Sequence, residues 1–188
     1  MLAHEKIHMA GSLCRQYGPG RLPYASRRDL GGGIAMAATA VAATALWYVA
    51  NLSVLTTGVV ADSGNNLRFA VAMSLFVIPV ALPAAFVLGT LLWRYGLPDE
   101  PTPWLGSLLG AATALGSLAV GVVVGSYLLF GFMVFDGGLA PTATEIVLAP
   151  LLFAVMGLLF ALIFAAWFIV PIGAFGGWYH ERAKRAWR

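Results

Sequence analysis

The chain has 188 residues, 60% of them hydrophobic and only 10% charged, with a net charge of +3. A water-soluble domain carries about 25% charged residues, so this composition leaves too little polar material to enclose a soluble core and makes lipid the main solvent. The single Cys14 excludes an intrachain disulfide, and an excess of Arg over Lys amid abundant Ala and Gly is the usage of a high-GC prokaryotic gene.

Residues 1–32 read as a cytoplasmic segment, flexible or a short helix. It contains His4-Glu5-Lys6-Ile7-His8, which resembles the H-E-x-x-H motif of zinc peptidases. On a helix, residues four apart share a face, so His4 and His8 could grip one zinc ion with Glu5 as the base. The resemblance stops at these five residues. Lys6 stands where such motifs usually carry an uncharged residue, and a third ligand from His180 or Glu181 requires the two termini to meet. Coincidence is the stronger reading, and no cofactor is expected. Ser26-Arg27-Arg28-Asp29-Leu30, ahead of a Gly/Ala-rich run, resembles a twin-arginine export signal. That route serves folded domains, so the stretch reads instead as a basic flank with Asp29 capping the first helix.

Four apolar runs follow, Leu30–Ala61, Phe69–Trp93, Pro101–Phe135 and Ile146–Tyr179. Each exceeds the ~20 residues an α-helix needs to cross ~30 Å of hydrocarbon, and helices are the elements whose backbone satisfies itself in lipid. The expected class is all-α: an up-down bundle of four transmembrane helices over residues 33–179, with spans at about 34–56, 70–93, 105–130 and 148–174. Short connections make consecutive helices antiparallel neighbours.

Each helix carries one feature. The first ends in Ala50-Asn51-Leu52-Ser53, where Asn51 could hydrogen-bond across helices or line a polar vestibule. The second holds Pro79 and Pro83, which remove amide donors and predict a kink; with Asn51 they are the candidates for a cavity. The third has a stripe of small residues, Gly106, Gly110, Ala114, Ser117, Gly121 and Gly125, on one face. Such a face admits a close helix. It receives either a neighbour in the chain, the stronger reading, or a second copy or another membrane subunit. The fourth offers a complement in Phe153, Phe160, Phe164 and Trp167. A faint echo pairs Ala37-Ala38-Thr39-Ala40-Val41 with Ala111-Ala112-Thr113-Ala114-Leu115, and Phe69-Ala70-Val71 with Phe153-Ala154-Val155, as a duplicated hairpin would.

Charge sets the direction. Lys6, Arg15, Arg21, Arg27, Arg28, Arg94, Arg182, Lys184, Arg185 and Arg188 fall on one side, and Arg68 alone on the other. Both termini are therefore expected in the cytoplasm of a multi-pass cell-membrane protein, with Trp93, Tyr95, Trp104, Trp178 and Tyr179 at the cytoplasmic boundary. The basic tail, 180–188, should pair Glu181 with Arg185 and attract anionic lipid through Arg182, Lys184, Arg185 and Arg188.

No ionisable residue lies within the four spans, which argues against proton antiport and b-type haem. Phosphate loops, dinucleotide fingerprints and nucleic-acid modules are also missing. The preferred expectation is a non-catalytic accessory subunit or scaffold acting through helix packing. A small-molecule transporter or channel, as a homodimer, comes second, and an H-E-x-x-H zinc peptidase third.

Overall fold

A computed structural model describes residues 27–58, 64–96, 100, 102–138 and 140–185. His4 and His8 lie outside the described residues. The described chain is all-helical: α1 Arg28–Thr57, α2 Gly64–Gly96, α3 Pro103–Phe135, α4 Ala143–Phe164 and α5 Ala166–Arg185. Four of these, α1 to α4, contain stretches long and apolar enough to cross a membrane. The first three extend beyond the expected spans by one to six residues at each end, and α4 starts five residues early and stops ten short. Gly58 follows α1 with φ 64° and Gly137 follows α3 with φ 75°, left-handed conformations that cost glycine little.

The fourth run differs from expectation. The span expected at 148–174 is two helices, parted at Ala165. Pro171, six residues past the break, lies inside α5 and cannot donate to the Trp167 carbonyl. At the break the Ala165 amide donates to the Ala161 carbonyl, and the Trp167 indole N–H donates to the Phe164 carbonyl at 2.7 Å. At its other end α4 starts in a capping box. Thr142 Oγ1 accepts from the Glu145 amide while the Thr142 amide donates to Glu145 Oε2. Thr142→Ala should cost about 1 kcal/mol in thermal unfolding of the detergent-solubilised protein. Glu145→Gln, which keeps the box, should cost less.

The chain forms two compact units, Met1–Ala40 with Ala85–Gly116 and Phe168–Arg188, and Val41–Ala84 with Ser117–Trp167. In the first, helices meet through glycines in antiparallel order. A methyl group at Gly32 would collide with the Trp93 ring, and one at Gly89 would stand 3.0 Å from Met36 Cβ. These contacts join α1 to α2. Leu109 against Gly96 joins α2 to α3. A methyl group at Gly177 would collide with the Gly106 carbonyl, and one at Gly110 with the Gly173 carbonyl, so α3 and α5 touch backbone to backbone. Thr39 against Gly176 closes the ring from α5 to α1. Buried Met36 and Trp93, with Leu92, Leu105 and Leu109 around them, fill the core of this unit.

In the second unit Gly121 and Gly125 of α3 receive Phe76, Val77 and Ala81 of α2. Tyr48 and Ser74 share a 2.9 Å hydrogen bond between α1 and α2. Gly157 of α4 takes Val122 of α3. Helix α4 buries only Pro150, Ala154 and Ala161, and its large side chains face outward. Phe153, Phe160 and Phe164 are among them, and Trp167 at the start of α5 is 70% exposed. These aromatics are therefore not the complement of the α3 stripe. The close approach that small residues allow is taken up by other small residues and by backbone, which leaves no depth for a ring.

Candidate functional site

The ends of α2, α3 and α5 in the first unit assemble a cluster of polar groups. Trp93, on the last turn of α2, is fully buried, and its indole N–H donates to Glu181 Oε1 at 2.8 Å. Lys184, one turn further along α5, donates to the same oxygen at 2.6 Å. Glu181 is only 2% exposed. Its room comes from α3, where a methyl group at Gly106 would lie 2.5 Å from Glu181 Cγ. A carboxylate taken from water needs charge-assisted partners to remain ionised, and Trp93 and Lys184 supply two.

His180 completes the group. It is 8% exposed, stands edge-on to Trp93 with ring centroids 6.0 Å apart, and has a buried Nε2 that no hydrogen bond reaches. Burial lowers its pKa from the ordinary 6.5 to about 4; the Lys184 ammonium adds to that effect, and the Glu181 carboxylate opposes it. Burial thus favours the neutral imidazole, which keeps an unfilled bonding position at Nε2.

The structure gathers the α3 stripe on a buried line but splits its neighbours. Gly106, Gly110 and Ala114 meet Gly173, Gly177 and Glu181 of α5, whereas Gly121 and Gly125 meet α2. Ser117 is buried with them. Asn51 is buried, and its amide donates to the Trp47 carbonyl of its own helix at 2.7 Å. Pro79 and Pro83 lie on an exposed face of α2, four residues apart, and the helix runs through both.

The α5 end departs most from expectation. Glu181 is buried and bonds to Lys184 and to Trp93; the side chain of Arg185, its expected partner, lies outside the described residues. Arg182 stacks its guanidinium over Trp178 at 5.0 Å. Two of the four bases expected to hold anionic lipid therefore have partners in the chain. Tyr95 and Trp104 are exposed as boundary aromatics should be, but Trp93 is a core residue. The sequence signal that could have found the site is the Glu beside an α5 helix that carries Gly173 and Gly177 four apart. That spacing draws α5 onto α3, and whatever follows one turn later is drawn in with it. Among the described residues no three His, Cys, Asp or Glu side chains come together as a metal-binding group. Compared with known protein families, curated proteins and solved structures, the chain has no significant match.

Proposed function

We propose that this chain is an integral membrane protein that crosses a cell membrane four times as an up-down bundle, with both termini in the cytoplasm. We further propose that it serves as a non-catalytic accessory subunit or scaffold acting through helix packing. Membrane insertion draws support from four long apolar helices and from the rows of exposed Leu, Val, Ile and Phe that α4 presents. The excess of bases at the termini and at Arg94 supports the orientation.

The observation that carries the scaffold reading is how the buried polar groups along the spans are spent. Thr113 donates to the Leu109 carbonyl, Ser126 to the Val122 carbonyl and Asn51 to the Trp47 carbonyl, each within its own helix. These groups serve the helices and leave little to act on a substrate. The α3 stripe is already occupied by α2 and α5, so assembly through α3 would first have to open those contacts. The native mass after extraction in a mild detergent at natural expression level tests the reading. A complex with other chains is the expected result, and the chain alone would remove its support.

One observation favours transport as a second reading. A buried carboxylate beside a lysine and an imidazole is a feature of ion and solute pathways. Flux into liposomes that is abolished by Glu181→Gln would establish it.

A further inference from the structure

The His180 Nε2 is the described buried side-chain atom without a hydrogen-bond partner, and it lies beside the one carboxylate that joins α5 to α2. Among the described residues the charges that act on His180 are Lys184 and Glu181, both on α5. From α2 it meets the uncharged Trp93 ring. Arg27 and Arg94, at the ends of α1 and α2, act on Asp29. Glu181 is therefore the anion closest in chemistry to a cation formed at His180, and its Oε1 is already shared by Trp93 and Lys184.

We propose that His180 makes this cluster a proton-operated latch, in which uptake of a proton at Nε2 releases Glu181 from Trp93 and frees the end of α5. The neutral imidazole is tolerated in its buried place at the cost of one unmade hydrogen bond. An imidazolium there is a second cation next to Lys184, in a region with one carboxylate for both. Burying that charge without a partner of its own is far more costly. The cluster relieves it by letting water reach the ring. That requires α5 to lift from Gly106 and from Trp93, whose indole N–H then loses its acceptor. The direction is fixed by linkage. A histidine whose folded pKa lies below its unfolded one keeps the latch closed above the ordinary 6.5, and the closed state weakens as pH falls toward about 4. Since the Glu181 bond joins the end of α5 to α2, opening acts on this end of the first unit.

The test is NMR of the full chain in detergent micelles with indole-labelled tryptophan, titrated from pH 8 to pH 4. The Trp93 signal is assigned as the one missing from Trp93→Phe. Its indole N–H should shift and exchange with water as the pH falls, reversibly and with the same midpoint as the His180 ring signals. The Trp167 indole, bonded to the Phe164 carbonyl, should hold still over the same range. In His180→Gln the Trp93 signal should stay fixed. The proposal is overturned by a Trp93 shift that persists in His180→Gln, by midpoints that differ in the unmodified protein, or by a Trp93 signal that never moves. Joint movement of Trp93 and Trp167 would equally overturn it, since that is general unfolding. Should His180→Gln fail to fold, the coincidence of midpoints and the stillness of Trp167 in the unmodified chain decide the matter.

Discussion

Gly110→Leu should cost the folded protein about 3 kcal/mol or more, the upper end of what overpacking does, while Gly131→Leu should be neutral or slightly stabilising. Both glycines lie on α3 and both substitutions add the same side chain. They differ in what that side chain meets. A Cβ at Gly110 would collide with the Gly173 carbonyl and stand 3.1 Å from the Gly177 Cα. Backbone cannot turn aside as a side chain does, so α5 must withdraw from α3 along the whole contact. A Cβ at Gly131 has no heavy atom within 4 Å, and replacing an exposed helical glycine removes a penalty of roughly 0.5–1 kcal/mol. Thermal unfolding of the two variants in one detergent gives the comparison directly. Equal midpoints would mean that α3 and α5 do not touch in the way described. Against a total stability of about 5–15 kcal/mol for a typical domain, the Gly110 change is large enough to reduce recovery of folded protein.

Glu181→Leu should cost about 2–3 kcal/mol and Glu181→Gln clearly less. Leucine removes the acceptor of the buried Trp93 N–H and the anion beside Lys184, and hydrogen bonds to charged groups contribute about 1.5–3 kcal/mol each. The Lys184 side chain is 19% exposed, so its ammonium recovers part of its hydration and the full cost of stranding a buried ion does not apply. Glutamine keeps a carbonyl for Trp93 and loses only the charge. A double-mutant cycle with Trp93→Phe isolates the indole bond: the coupling should be about 1.5 kcal/mol or more. A coupling near zero would show that Glu181 and Trp93 are neighbours without being partners.

Long-range features and local ones were unequally legible in the sequence. The four apolar runs announce helices because length and hydropathy are local properties, and they appear as α1 to α4 with later and earlier ends. The six small residues of α3 announce a close-packed face for the same reason, since a period of three and four needs only one helix to express it. What fills that face is a different question. It is answered by Gly173, Gly177 and Glu181, far along the chain, at one end and by Val77 and Ala81 of α2 at the other, while the aromatic row from Phe153 to Trp167 faces outward. The break at Ala165 was hidden inside a run that stays apolar on both sides of it. Glu181 was hardest to read. Beside Arg182, Lys184 and Arg185 it has the look of a solvated tail, and its burial depends on Gly106 and Trp93 on two other helices.

The glycine contacts of the first unit have a mechanical consequence. The pairing that sets Ala37 on Ala111 and Phe69 on Phe153 also sets Gly32 on Gly106, Met36 on Gly110, Gly89 on Gly173 and Trp93 on Gly177. It carries the Gly32–Trp93 contact onto Gly106–Gly177 and the Met36–Gly89 contact onto Gly110–Gly173. One joint is thus made twice, once cushioned and once bare. Between α1 and α2 these two contacts pass through an indole and a flexible thioether, which yields by changing rotamer, next to a close approach of Gly33 to the Phe86 carbonyl. Between α3 and α5 their counterparts pass from peptide group to peptide group, where nothing yields. At these paired positions sideways pressure is therefore absorbed at the α1–α2 joint, while α3 and α5 move as one stiff beam for as long as Glu181 holds the end of α5 closed on Trp93.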